Sequence, residues 1–136
     1  MDTPNNLVNV FVYGTLKPGE SNYQSYCAID VIKAKRAITF GQLFALPLGY
    51  PAMTLGSCVI HGFLLSFSNH VILERLDWLE DYNPNRSFGQ NEYYRQQIET
   101  YNLALDSLGL AWVYLMTLEQ VKYHGGLLIP SGWWKG

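Results

Sequence analysis

The sequence predicts an α+β fold, built on one small, mixed and mostly antiparallel sheet with flanking helices. Short runs of β-branched and aromatic residues outnumber the helical pattern, which is clear over one stretch only. The predicted strands also do not alternate regularly with helices, as they would in a doubly wound parallel sheet. A barrel-like sheet with helices at its rim fits this order. Residues 1–136 are expected to form a single domain without repeats or linkers.

The first predicted strand, Asn9–Tyr13, leads into a loop of small residues. Valine and phenylalanine favour a pleated backbone, and Gly14 permits close approaches that a side chain would block. The N–H groups of Thr15 and Leu16 can then point toward one place, which suits a carboxylate or an oxyanion. The alternative is a strand that ends in an ordinary turn marked by the following Pro-Gly pair.

The next predicted elements are a short helix and two strands. Ser21 is a candidate cap for the helix, which would border the loop. One strand is predicted within Val31–Phe44 and another at Val59–Phe67. An irregular connection is predicted over Ala45–Pro51, because Pro47 and Pro51 argue against a central strand there.

The clearest helix and a hairpin follow. Ser68 or Asn69 is predicted to cap a helix over Val71–Tyr82, where apolar residues recur with a helical period. Strands are predicted at Glu92–Tyr101 and Leu110–Met116, and the short connection between them indicates an antiparallel hairpin.

This helix carries four acids, and one of them falls on its apolar side. The face to be buried consists of Ile72, Leu73, Leu76 and Leu79. An opposite, solvated face would hold Glu74, Asp77 and Asp81. Glu80 falls among the apolar residues, and burying an unpaired carboxylate is costly. Two interpretations remain: either the helix ends before Glu80, as Pro84 signals, or Glu80 is a general base whose pKa is raised by an apolar neighbourhood.

Composition argues against several classes of function. Nine basic and eleven acidic residues give a formal charge of −2 without a large basic cluster, so nucleic acid is not expected as a partner. No apolar run reaches the ~18 residues of a membrane span, and no signal pattern opens the chain, so we expect a soluble, cytoplasmic protein. Cys27 and Cys58 lack metal or redox spacing and are expected to be small buried hydrophobes.

Metal and covalent chemistry are not indicated. The three histidines, His61, His70 and His124, lack second ligands at metal spacing. No serine or cysteine stands in a nucleophile motif, and the first loop matches no nucleotide-binding pattern. Tyr50 is a candidate for a pocket hydroxyl that orients a polar substrate, although most tyrosines are core residues. Arg95 can pair with a carboxylate of the protein or of a ligand, and we expect the pairing within the protein.

Six segments together resemble one known family. They are VFVYGTLKPGESN, GQLFALPLGYPAM, LERLDWLEDY, EYYRQQIET, AWVYLM and SGWW. Their order and their span of nearly the whole chain resemble the γ-glutamyl cyclotransferase-like family. The YGTL loop and the LDxLE helix end, followed by a Tyr-Arg strand, are the most specific parts. This chain departs from the pattern at Asp81, where relatives usually carry glycine, and in the long loop Asn83–Asn91.

The resemblance implies site residues as well as a small mixed β-barrel with flanking helices. The implied substrate-binding loop consists of Tyr13, Gly14, Thr15 and Leu16. Glu80 would be the catalytic acid/base, with Tyr94 as a pocket tyrosine beside it. The implied partner is a small molecule with a γ-glutamyl group, whose own α-amine attacks its γ-carbonyl. No cofactor, metal or enzyme nucleophile is then needed.

Two alternatives to an enzyme stay open at this point. One is a binding module that holds a small carboxylate or γ-glutamyl ligand without converting it. The other is a structural protein in which Glu80 is buried and satisfied by other groups of the chain.

Overall fold

The computed structural model describes residues 7–136. Its elements are β1 (Val8–Val12), α1 (Tyr23–Tyr26), β2 (Val31–Ala45), β3 (Pro51–Phe67), α2 (Val71–Leu79), a 3-10 turn (Phe88–Gln90), β4 (Tyr94–Tyr101), β5 (Ser107–Leu115), α3 (Leu118–Tyr123) and β6 (Leu127–Leu128). None of the helices within the described residues is long and apolar enough to cross a membrane.

The strands form one sheet that closes on itself. The strand order is β3-β1-β5-β4-β2-β6, and β2 also pairs with β3, which completes a ring. β1 and β5 are parallel, whereas the other pairs are antiparallel. The predicted fold class, a mixed and mostly antiparallel barrel-like sheet with flanking helices, is therefore confirmed.

The long hairpin of β2 and β3 differs from the prediction. β3 begins at Pro51 rather than at Val59, so the predicted strand started eight residues too late, and the irregular connection is limited to the turn between Ala45 and Pro51. Pro51 pairs with Ala45 as the first residue of its strand, a position that tolerates a missing N–H. The turn is closed by the N–H of Leu46, which donates to the carbonyl oxygen of Tyr50 at 3.1 Å. This turn places Tyr50 and Pro51 next to the end of β1.

Side chains on both faces of β1 are buried, because successive strand residues point to opposite sides. Val8, Val10 and Val12 join a core cluster that includes the buried face of α2. Phe11 joins a second cluster, made of residues from β2, β3 and β5 together with Trp134 of the C-terminal segment. The strand is thus held on both sides, and the loop that follows it starts from a fixed position.

α2 begins at Val71 as predicted but ends earlier, and its N-terminal cap residue is His70 rather than Ser68 or Asn69. The side chain of Asn69 accepts a hydrogen bond from the N–H of Val71 at 2.9 Å. The last helical residue is Leu79, Glu80 is the C-terminal cap, and Asp81 has a left-handed φ of 55°. Helices commonly end with glycine in this conformation, which gives a physical reason for the glycine that the resemblance leads one to expect. The predicted apolar face is confirmed, with these residues buried: Ile72, Leu73 and Leu76.

α3 was not predicted, although the sequence contains its signal. The Oγ1 atom of Thr117 accepts a hydrogen bond from the N–H of Gln120 at 3.2 Å, as in a capping box. The side chain of Gln120 in turn donates to the carbonyl oxygen of Asn91 at 2.7 Å. α3 therefore anchors the chain immediately before β4.

Two smaller expectations were wrong. Asn22, and not Ser21, is the N-terminal cap residue of α1, and it makes no side-chain capping bond. Cys58 is exposed, because it lies where the pairing of β2 and β3 shifts register. Cys27 is buried as expected, and burial raises the pKa of its thiol to about 12.

Candidate active site

A cavity of about 210 Å³ opens at the end of β1. Its walls come from the loop after β1, the start of β3, the end of α2, the residues before β4 and one residue of β5. Among the described residues, two carboxylates line it, Glu80 and Glu92, and no lysine, arginine or histidine does. Its volume is below the ~300–1,000 Å³ of typical small-molecule pockets. It therefore suits one compact group, with the rest of a larger ligand outside.

Most of the sequence-predicted site residues meet at this cavity. Those that line it are Tyr13, Gly14, Thr15, Leu16, Tyr50 and Glu80. Tyr94 is not part of the lining, and the structure places Tyr93 there instead. Tyr94 packs against the second core cluster. The reason for the difference is geometric, since neighbouring side chains of an extended segment point to opposite faces.

Gly14 is required by the close approach of Pro51. A Cβ atom on Gly14 would lie 2.6 Å from Cγ of Pro51 and 2.9 Å from its Cδ, which is too close for unstrained contact. Just beyond, the N–H of Lys17 donates to the carbonyl oxygen of Gly14 at 3.0 Å and tightens the loop. Glycine is thus needed here for space.

The loop residues that line the cavity have backbone N–H groups without partners. Within residues 7–136, no acceptor of the chain receives the N–H groups of Gly14, Thr15 and Leu16. Asn22 holds the loop in place: its Nδ2 donates to Thr15 Oγ1 at 2.9 Å, and its N–H donates to the Thr15 carbonyl oxygen at 2.8 Å. Because backbone N–H groups away from water normally have partners, an oxygen atom of a ligand can complete this site.

Lys17 fastens the loop to the C-terminal segment. Its Nζ donates to the carbonyl oxygen of Trp134 and lies 3.6 Å from the ring centroid of Trp133. Burial lowers the pKa of Lys17. A desolvated ammonium over an indole ring is a favourable cation–π arrangement. The SGWW segment of the sequence therefore supports the loop from behind and is not part of the cavity wall.

Glu80 reaches the cavity from the C-terminal end of α2. Its N–H donates to the carbonyl oxygen of Leu76 at 2.9 Å, which fixes its backbone. In the part of the chain that the structure describes, its carboxyl group has no hydrogen bond or ion pair. Burial raises the pKa of Glu80 to about 8, and the negative charge of Glu92 adds to this effect. The two interpretations of Glu80 are therefore compatible. The helix ends before this residue, and its side chain still faces a cavity with largely apolar walls.

Glu92 is a second cavity carboxylate that the sequence did not single out. The hydroxyl of Tyr50 donates to its Oε2 at 2.6 Å. Its backbone N–H donates to the carbonyl oxygen of Asp81 at 3.2 Å, next to Glu80. Glu92 was predicted to begin a strand, but β4 starts two residues later at Tyr94. The surroundings of Glu92 are therefore set by its contact with Tyr50, which no local pattern indicates.

The hydroxyl groups of two cavity tyrosines are bound to the backbone. Tyr13 donates to the carbonyl oxygen of Tyr114 at 2.6 Å and accepts the N–H of Met53 at 3.2 Å. Tyr93 donates to the carbonyl oxygen of Pro51 at 2.7 Å. Burial raises the pKa of both hydroxyls, so both stay neutral. These residues shape the cavity with their rings and join the strands around it.

Asp77 differs from its predicted place on a solvated face. It accepts hydrogen bonds from Nε of Arg95 at 2.8 Å and from the hydroxyl of Tyr114 at 2.6 Å. The expected pairing of Arg95 with a carboxylate of the protein is thereby confirmed. The helical period gives the direction in which Asp77 points, but it does not show that side chains of the sheet lie there as partners.

The cavity therefore combines three chemical elements. It has a carboxyl group that can exchange a proton near neutral pH, a second carboxylate, and a loop with N–H donors. Among residues 7–136, no group of three or more histidine, cysteine, aspartate or glutamate side chains is arranged to hold a metal ion.

Comparison with known proteins identifies related chains. The Vibrio cholerae protein named "Putative gamma-glutamylcyclotransferase" is 34% identical over 128 residues, covering 92% of this chain and 93% of that protein. The "Gamma-L-glutamyl-butirosin B gamma-glutamyl cyclotransferase" of Niallia circulans is 34% identical over 76 residues, or 56% of this chain and 47% of that protein. Both names describe γ-glutamyl cyclotransfer.

The fold also has relatives among solved structures. The crystal structure of an AIG2-like protein from Mus musculus superposes with a TM-score of 0.69 and 20% identity. The match covers 96% of this chain and 89% of the mouse chain, and at this identity it establishes the fold alone. The family model "Gamma-glutamyl cyclotransferase, AIG2-like" matches residues 10–136. This chain therefore belongs to the AIG2-like γ-glutamyl cyclotransferase family.

Proposed function

We propose that this protein is a cyclotransferase that converts a γ-glutamyl amine or peptide into 5-oxoproline and a free amine. Glu80 acts as the general acid/base, and the loop Tyr13–Leu16 binds the substrate. Family membership supports a γ-glutamyl cyclotransferase enzyme. The substrate class, the mechanism and the residue roles are inferred from the cavity.

One observation carries the proposal. Among the described residues 7–136, no partner binds the carboxyl group of Glu80, which lies in the same cavity as loop residues whose N–H groups also lack one. Residues that serve only stability normally have their polar groups satisfied. A proton-exchanging group opposite a set of donors is instead suited to a reaction that moves a proton while charge develops on a carbonyl oxygen.

The reaction requires no external nucleophile. The α-nitrogen of the γ-glutamyl unit attacks the γ-carbonyl carbon, a C–N bond forms and a five-membered ring closes. The C–N bond to the departing amine then breaks. Atoms balance without water, because one amide is exchanged for another within the same molecule.

Glu80 moves the proton between the two nitrogen atoms. With a pKa of about 8, it carries a proton in the empty cavity at pH 7. A substrate ammonium group nearby favours the ionised carboxylate, which then accepts a proton as the nitrogen becomes a nucleophile. The same carboxyl group returns the proton to the departing nitrogen. The N–H groups of the loop hold the substrate carboxylate or the γ-carbonyl oxygen.

The test measures 5-oxoproline release by chromatography. The wild-type protein is incubated with γ-glutamyl dipeptides and with γ-glutamyl amines, beside the variants Glu80→Gln and Glu74→Gln. We expect Glu80→Gln to lose about 10²–10⁴ of turnover, the usual contribution of a general base. Glu74 is an exposed acid of the same helix, and its variant should turn over like wild type.

Two results would contradict the proposal. Unchanged turnover in Glu80→Gln would remove Glu80 from the mechanism. Binding of these compounds by the wild-type protein without any 5-oxoproline would instead establish a binding module.

A further inference from the structure

Glu92 is the carboxylate of the cavity that the proposed reaction does not use. The general acid/base role needs one carboxyl group, and Glu80 provides it. Glu92 nevertheless lines the same cavity and is close enough for its charge to act on Glu80. The negative charge of Glu92 opposes ionisation of Glu80, so both carboxyl groups are ionised together near neutral pH only when a ligand brings a cation to the cavity.

The position of Glu92 is fixed from three directions. Tyr50 donates to its side chain at 2.6 Å, and its own N–H donates to Asp81 at 3.2 Å. The preceding residue, Asn91, is buried and is held by Gln120 and by the N–H of Asn83 at 2.9 Å. A carboxylate held in this way loses little conformational entropy when it binds a partner.

The positive charge that would balance this site is missing from the cavity wall. Two carboxylates line the cavity, and within the part of the chain that the structure describes none of the lining residues is a lysine, arginine or histidine. Lys17 follows the cavity loop directly in sequence, but its ammonium group donates to the carbonyl oxygen of Trp134 in the C-terminal segment. A γ-glutamyl unit brings its own cation, the α-ammonium group, which compensates the charge of one cavity carboxylate.

We propose that Glu92 is a substrate-binding residue whose carboxylate, together with Glu80, receives the α-ammonium group of the γ-glutamyl unit. Tyr50 is then a positioning residue that orients Glu92. The inference rests on the proposed function, since it assigns a part of that same substrate. It adds that the cavity selects ligands by their ammonium group and rejects analogues that lack it.

The test compares two ligands that differ only in this group. γ-L-Glutamyl methylamide carries the α-ammonium, and glutaric acid monomethylamide has hydrogen in its place. Their dissociation constants are measured by calorimetry on Glu80→Gln, in which turnover is blocked, and on Glu80→Gln combined with Glu92→Gln. Glutamine keeps the shape of Glu92 and an acceptor for Tyr50, so the cavity is preserved.

We expect the second substitution to weaken binding of the ammonium ligand by about tenfold or more, as for loss of a charge-assisted hydrogen bond. Binding of the ligand without the ammonium should stay the same or become tighter. Tyr50→Phe in the Glu80→Gln background keeps the charge of Glu92, so it should weaken only the ammonium ligand, and by less.

An equal loss for both ligands would overturn the inference, because Glu92 would then merely shape the cavity. Unchanged affinity for both would overturn it as well, because Glu92 would make no contact with the ligand. A parallel assay for 5-oxoproline with the wild-type protein keeps the two proposals apart. Absence of product refutes the proposed function, while the ligand comparison still decides the role of Glu92.

Discussion

Asp77 and Glu80 lie one turn apart at the end of the same helix, but their surroundings differ. Asp77 accepts hydrogen bonds from Arg95 and from the hydroxyl of Tyr114, both contributed by the sheet. Glu80 has no such partner among the described residues, and burial raises its pKa to about 8. One carboxylate is committed to holding the helix on the sheet, and the other is available to a ligand. The partners that the rest of the fold supplies therefore decide what each acid does.

The contrast has a structural origin at the end of α2. Up to Leu79 the helix lies against β4 and β5, and Asp77 meets their side chains. At Glu80 and Asp81 the backbone leaves the helical path. Glu80 is thereby turned to the cavity, whose opposite wall is the loop after β1.

Removing the carboxylate of Asp77 should cause the largest change in stability. We expect Asp77→Ala to lower the free energy of unfolding by about 2–4 kcal/mol, because a largely buried guanidinium and a tyrosine hydroxyl lose their acceptor. The Arg95 side chain is 19% exposed. Urea denaturation measures the change. Glu74→Ala, at an exposed site of the same helix, should stay within about 0.5 kcal/mol of wild type, and an equal loss in both variants would contradict the role of Asp77.

The pH dependence of kcat/KM tests the role of Glu80, the second acid of the comparison. The groups that face Glu80 are Glu92, Tyr13, Tyr50, Tyr93 and Tyr114, and burial keeps the hydroxyls neutral. If the ionised form of Glu80 is required, kcat/KM should rise about tenfold per pH unit below the pKa and level off above it. That pKa is about 8.

The variant Glu92→Gln shows whether this rising limb of the pH profile comes from Glu80 or from the substrate amine. Removing the neighbouring charge should move the limb to lower pH, because Glu92 contributes to the raised pKa of Glu80. A limb that does not move would belong to the substrate amine, and Glu80 would not be its source.

The raised pKa of Glu80 should also make the stability of the folded protein depend on pH. In the unfolded chain the carboxyl group of Glu80 ionises near 4.5, and in the folded chain near 8. The folded state thus binds more protons between these values, and its stability falls as the pH rises through this window. Glu80→Gln cannot ionise, so it should be more stable than wild type by about 1–3 kcal/mol at pH 8 and nearly equal to it at pH 4. Thermal unfolding across this range measures the difference, and parallel curves would refute a raised pKa.

The smallest effect is expected at the residue that turns Glu80 out of the helix. Asp81 has a φ of 55°, a conformation that glycine adopts without strain. Asp81→Gly should raise the free energy of unfolding by about 0.5–1 kcal/mol. Asp81→Asn tolerates the same conformation and loses only an exposed contact with Arg86 at 3.1 Å, so it should change stability by less than about 0.5 kcal/mol. A loss of stability in the glycine variant would contradict the argument.

Local signals in the sequence were sufficient for several parts of this protein. The β-branched run before Gly14, the helical period of the leucines and the turn-rich connection of the hairpin each led to the correct element. The T-x-x-Q cap of α3 was also present and was overlooked. The end of α2 was placed too late, since a left-handed Asp81 replaces the glycine that usually marks such an end.

Local patterns in the sequence were enough to indicate the strand before Gly14, the small-residue loop after it and a glutamate at odds with its helix face, because these features depend on residues close together in the chain. Long-range packing established that Asp77 is paired, that Tyr93 lines the cavity in place of Tyr94, and that Glu92 joins the site through Tyr50, which is 42 residues away. A periodic pattern indicates the side on which a residue lies. Its partners come from other strands and loops, and folding alone brings them within hydrogen-bond distance.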